Sequence, residues 1–156
     1  MHVRPITEFG TTIMSPCKKK DIMALESVHN NFTRELFLRV TGLSYANIPC
    51  GEQRRIQISL PSLASRRKKF DLVMAHKTLT GRLNIESDDF FQLCPSITRG
   101  GSLKLRAYSA RTQIRSKFLS QRTVAVFNSL LRRNVLEISP SQFKRMVARI
   151  SDLGTT

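Results

Sequence analysis

Asp88 and Asp89 stand side by side in the stretch SDDFFQL, Ser87 to Leu93. Adjacent carboxylates are what polymerases and nucleases use to hold two metal ions around a phosphate. That chemistry asks for a tight hairpin turn between apolar strands and a third carboxylate from elsewhere in the chain. Here Ser87 precedes the pair in the manner of a helix N-cap, no strand-like apolar run flanks it, and Phe90, Phe91 and Leu93 follow as an apolar anchor. Acidic residues in a first turn are stabilised by the helix dipole, by about 0.3–1 kcal/mol. The pair therefore reads as a helix start, and no catalytic or metal-ligating residue is assigned.

The remaining chemistry is cationic. The chain has 156 residues, 40% of them hydrophobic, with 26 Lys+Arg against 11 Asp+Glu, a net charge of +15. Such a balance points to a polyanionic partner, nucleic acid before a membrane surface. The apolar runs are too short to span a bilayer, and Met1 to Arg4 opens no secretory signal. Cys17, Cys50 and Cys94 form neither a disulfide framework nor a zinc knuckle. An intracellular setting is expected. The charge is uneven: residues 1–52 are close to neutral, whereas residues 53–82 and 99–149 each hold a single acid, Asp71 and Glu137.

Elements that would position these charges are mostly helical. Ser15 as N-cap and Pro16 at the first helical position open one helix. Its apolar stripe is Ile22, Leu25, Phe32, Leu36 and Val40, and Gly42 ends it. His29 falls on that stripe and, with no partner at ligand spacing, reads as a packed histidine. A second helix runs through LPSLASRRKKFDLVMAHKTLTG and closes at Gly81. A further helix is expected from Ser120 to Leu131. The last, SPSQFKRMVARIS, carries a capping box at Ser139 and Gln142; Phe143, Met146, Val147 and Ile150 face inward and Lys144, Arg145 and Arg149 outward. SLKLRAY, after Gly100-Gly101, alternates like a strand. The expected fold is mainly α, with at most a short strand or hairpin near residues 102–118.

Two basic clusters are candidates for phosphate contact: Arg66, Arg67, Lys68 and Lys69, and Arg111, Arg115, Lys117 and Arg122. Four consecutive helical positions cover roughly 300°, so the first cluster cannot form one face. Arg67 falls within about 40° of the line through Leu63, Phe70 and Met74 and must snorkel or pair, while Lys68 and Lys69 point away.

Seven blocks in order carry a family resemblance: VRPITEFGTTIMSP, KKKDIMALESVHNNFTREL, LPSLASRRKKFDLVMAHKTLTG, DDFFQL, TRGGSLKLR, RSKFLSQRTVAVFNSL and SQFKRM. Together, from about Val3 to Asp152, they resemble the C-terminal part of non-LTR (LINE-type, jockey-like) retrotransposon reverse transcriptases, the thumb and the tail beyond it. DDFFQL is similar to that tail's acidic-aromatic segment. The chain departs from the family pattern at Met14 and Phe127, where tryptophan is usual, at Leu130-Leu131 in place of Leu-Pro, and at His76 in place of a tyrosine; it contains no tryptophan.

The resemblance implies a thumb-like helical segment over residues 3–42 and a basic helical tail over 43–152, both belonging to a larger RNA-directed DNA polymerase that uses Mg²⁺. The palm carboxylates and the endonuclease would lie upstream, so no cofactor and no polymerase activity are expected of these residues. Sequence-independent binding to an RNA or DNA backbone is the expected role, with the rest of the reverse transcriptase as a second partner. The alternative is a helical protein-interaction module whose basic face is merely solvated.

Overall fold

A computed structural model describes residues 8–13, 15–16, 18–42, 44–96, 103–131 and 135–150. By its contacts the chain forms two compact units. One comprises Met1–Gly10 and Pro16–Arg66, the other Thr11–Ser15 and Arg67–Thr156. This division falls within a helix, between Arg66 and Arg67. Met14, Cys17 and Gly100-Gly101 lie outside the described residues.

The first unit is built on α1 (Lys19–Thr41) and α2 (Gly51–Gln57), which pack together, with a 3₁₀ turn at Tyr45–Asn47 between them. Helix α1 starts at Lys19 and not at Pro16. Lys18 occupies the cap position without a side-chain cap bond. Its carbonyl accepts from Asp21 and Ile22 at 3.1 and 3.2 Å, and Asp21 sits in the first turn, where the dipole favours a carboxylate. The end is as the sequence indicates: Gly42 adopts φ 66°, a left-handed conformation suited to glycine, and its N–H donates to the Leu38 carbonyl at 2.9 Å.

The buried face of α1 is His29, Thr33 and Phe37. Of the expected stripe, Ile22, Leu25 and Phe32 are half-buried, whereas Leu36 and Val40 are exposed. Burial follows a line of four-residue steps that accepts a histidine and a threonine, the latter spending its hydroxyl on the Asn30 carbonyl at 2.9 Å.

The second unit contains most of α3 (Leu63–Leu79), then α4 (Ser87–Phe90), β1 (Leu93–Pro95), β2 (Leu103–Leu105), α5 (Gln113–Ser116), α6 (Leu119–Arg122), α7 (Val124–Leu131) and α8 (Pro140–Arg149). The strands form an antiparallel pair with Leu93 opposite Leu105 and Cys94 opposite Lys104. Among the described residues the fold is thus mainly α with one hairpin.

Its core is a single apolar cluster: Leu72 and Ala75 from α3, Phe91 from the link between α4 and β1, Leu105 from β2, Val124, Phe127, Leu130 and Leu131 from α7, Val135, and Phe143 and Val147 from α8. Phe127 and Phe143 have no exposed surface and their rings meet at 6.0 Å. Truncating either to alanine would cost about 3–5 kcal/mol through lost transfer energy and a residual cavity.

The amphipathic pattern of α8 is the one read from sequence. Phe143 and Val147 are buried, Met146 and Ile150 half-buried, and Lys144, Arg145 and Arg149 exposed. Both halves of the capping box form, with Ser139 accepting from the Gln142 N–H and Gln142 accepting from the Ser139 N–H at 3.0 Å. The helix expected over Ser120–Leu131 is interrupted at Thr123, whose buried hydroxyl turns back on the Leu119 carbonyl. Such back-bonding competes with the backbone ladder.

Candidate nucleic-acid interface

The aspartates sit in α4, a single turn. Glu86 and not Ser87 holds the cap position, with extended backbone, and the Ser87 hydroxyl meets Asp88 Oδ1 at 3.3 Å instead of capping a backbone N–H. Both carboxylates lie in the first turn and are exposed. Phe91 is buried as expected, but Phe90 is 45% exposed, so only one ring anchors the segment. Among the described residues no group of three His, Cys, Asp or Glu side chains converges. Exposed carboxylates on a one-turn helix, with no third ligand beside them among the described residues, do not form the carboxylate set that holds Mg²⁺ in a polymerase.

The first basic cluster lies on α3 and is largely engaged. Arg66 forms a two-point ion pair with Glu8, Nη2 donating to Oε2 at 2.7 Å. Arg67 is only 7% exposed, and its buried Nε and Nη2 have no hydrogen-bond acceptor. Lys68 is half-buried, and Lys69 donates from Nζ to the Ala148 carbonyl at 3.1 Å. The inward face of the helix is displaced from the line expected. Phe70 is 37% exposed, whereas Leu63, Arg67, Asp71, Leu72, Ala75, His76 and Thr78 are buried.

What turns that face inward is a buried ion pair. Arg122, from α6, grips Asp71 with both arms of its guanidinium, Nε to Oδ2 and Nη2 to Oδ1, each at 2.7 Å. Nη2 also donates to the carbonyls of Thr11 and Thr12 at 2.9 and 3.1 Å, and Nη1 to that of Lys117. Burial pushes the Asp71 carboxyl up from its ordinary value, and the hydrogen bonds and charge of Arg122 pull it back. Arg122 is therefore a structural staple and leaves the phosphate-contact set.

The other three members of the second cluster, Arg111, Arg115 and Lys117, are exposed. They belong to RAYSARTQIRSKF, residues 106–118, which runs from the hairpin through α5 and contains no acid. Only Ala110 of this stretch is half-buried; the rest is exposed. Arg106, missed in the sequence, opens it, its guanidinium 5.3 Å from the centre of the Tyr108 ring. Both residues bond Gln92 Oε1. Tyr108 and Phe118 are 47% and 55% exposed. Cations interleaved with open aromatic rings are the means by which single strands are held, phosphates by charge and bases by stacking. Among the phenylalanines, Phe37, Phe91, Phe127 and Phe143 are buried, whereas Phe9, Phe70, Phe90 and Phe118 are exposed.

The outer face of α8 adds Arg145 and Arg149, which line a shallow groove of about 480 Å³ with Gln142, Met146 and Ile150. Cys50 is exposed and Cys94 half-buried, both free thiols. No helix among the described residues is long and apolar enough to cross a membrane. Comparison with family models, with curated proteins and with solved structures gives no match.

Proposed function

We propose that the chain is the C-terminal thumb-and-tail part of a LINE-type reverse transcriptase and acts as a sequence-independent binder of RNA or DNA backbone, without polymerase activity of its own. The observation that carries the family reading is the order of the seven sequence blocks, including DDFFQL and TRGGSLKLR. The observation that supports binding is the acid-free, exposed segment 106–118, with Arg106, Arg111, Arg115 and Lys117 beside Tyr108 and Phe118. Backbone contact by such cations needs no base readout and positions the strand without specifying sequence.

The test is the salt dependence of affinity for a short single strand. Four phosphate contacts give a slope of log affinity against log salt of about −3, nearly the same for unrelated sequences. A flat salt response, or binding confined to one sequence, would overturn the reading.

A second reading is a helical protein-interaction module, favoured by the apolar residues left outside on α1: Met23 is 70% and Val40 73% exposed. Apolar side chains left in solvent are what a partner's docking would cover. Indifference to nucleic acid at every salt concentration would favour it.

A further inference from the structure

Three arginines of the first unit gather where α2 meets α1, and no carboxylate among the described residues joins them. Arg54 is the floor. It is 3% exposed, donates from Nη1 to the Pro49 carbonyl at 2.6 Å and from Nη2 to the Asn30 carbonyl at 3.3 Å, and has a buried Nε with no acceptor. Arg55, half-buried, donates from Nη1 to Asn30 Oδ1 at 3.2 Å. Arg34, also half-buried and one turn beyond Asn30, donates from Nη1 to the Tyr45 hydroxyl at 2.6 Å, with its guanidinium 5.3 Å from that ring's centre. Burial first, and then Arg34 and Arg55 among the neighbouring charges, lower Arg54 from its ordinary value.

Buried guanidinium groups are ordinarily matched by a carboxylate, because an unmatched charge away from water is among the costliest things a fold can contain. Here the match is missing. The ion pairs among the described residues are Arg66 with Glu8 and Arg122 with Asp71; neither Glu26, one turn before Asn30, nor Glu52 on α2 reaches the cluster. Arg34 and Arg55 each commit one of the five donors a guanidinium carries. Gly51 keeps the corner closed: a Cβ there would lie 2.7 Å from Asn30 Oδ1 and 3.5 Å from Arg54 Nη2.

We infer that the Arg34–Arg55 pair, over the buried Arg54, is a binding site for a tetrahedral phosphoryl oxyanion. The planar forks of the two rim arginines suit phosphate oxygens, and Arg54 supplies charge from beneath without needing to be touched. The site is independent of segment 106–118 and does not rest on the function proposed above.

The test is a thermal melt of the full chain in inorganic phosphate against chloride at matched ionic strength. Phosphate should raise the melting midpoint by mass action on the folded state. Arg34→Gln with Arg55→Gln should abolish the rise, with an affinity loss of about tenfold or more. Arg111→Gln with Arg115→Gln should keep it. Should the first double variant not fold, phosphate titration of the unmodified chain decides the matter through the Nε–H resonances of Arg34 and Arg55, which should shift saturably. Equal midpoints in the two salts, an undiminished rise in the Arg34/Arg55 variant, or unmoved resonances would overturn the site. A short oligothymidylate separates the two sources of the phosphoryl group. If the Arg34/Arg55 variant loses affinity for it, the ligand is a backbone phosphodiester; if only inorganic phosphate is lost, it is a free phosphate group.

Discussion

Arg122 and Asp71 are joined by two parallel hydrogen bonds of 2.7 Å, with side chains only 13% and 5% exposed. Removing one member strands the other charge in the interior. Arg122→Met alone is expected to destabilise the second unit by about 3–5 kcal/mol, and Arg122→Met with Asp71→Leu by clearly less, since a buried pair can often be exchanged for apolar residues at little net cost. Denaturant unfolding of the two variants checks this; equal losses would show that the pair is not the staple.

His76 gives stability a pH dependence. Its ring has no exposed surface, stacks on Phe143 at 4.2 Å and bonds the Val135 carbonyl from Nε2 at 2.9 Å. Burial lowers its pKa from the ordinary 6.5, against the opposing pull of the Val135 and Ile138 backbone. A lowered folded-state value means that the unfolded chain takes up the proton first. The stability His76 contributes is therefore fully present above about pH 6.5 and falls as the pH drops toward the folded-state value. Melting midpoints between pH 7.5 and 5 should decline, and His76→Gln should flatten that decline.

Replacing Arg111, Arg115 and Lys117 by Gln should flatten the salt slope for single-strand binding by about 2 units, at the usual 0.7 per phosphate. Lys69→Gln should change it little, because that ammonium is held by the Ala148 carbonyl. The comparison, read by fluorescence anisotropy across a salt series, separates the exposed stretch from the helix whose cations are engaged.

Asp88→Asn with Asp89→Asn should cost no more than about 1 kcal/mol, through the lost dipole interaction of a single turn. With a primed RNA template and Mg²⁺ neither the parent chain nor the variant should extend the primer. Extension by the parent that the double change removes would restore a metal role to these carboxylates.

Ser139→Ala should cost about 1 kcal/mol, the ordinary value of an N-cap, and Gln142→Ala part of that through the reciprocal bond. Because α8 supplies Phe143 and Val147 to the core, the loss should be visible in global unfolding and not only as fraying.

Those caps were legible because their signals are local: Ser139, Pro140 and Gln142 dictate the start of α8, and Gly42 the end of α1. The hairpin was half legible. Leu103–Leu105 alternates, but Leu93–Pro95 is three residues long and ends in proline, too short for a period to register. The inward lean of Arg67 was legible from helical spacing, whereas the burial of Arg122 was not, because it depends on a pairing with Asp71, 51 residues away, that no local pattern carries. The same blindness hid Arg54, which reaches back 24 residues to Asn30.

Asn128 on α7 occupies the open side of the hairpin. Its amide oxygen accepts the Leu105 N–H at 2.8 Å and its amide nitrogen donates to the Leu105 carbonyl at 3.0 Å. A side-chain carboxamide thus imitates one peptide unit of a missing third strand, and the position next to β2 is already taken within the molecule. An exposed strand edge is a template for the next molecule's backbone. By filling that slot, Asn128 removes a route to strand-by-strand polymerisation. Aspartate there could accept from Leu105 but not donate, which would reopen half of the slot.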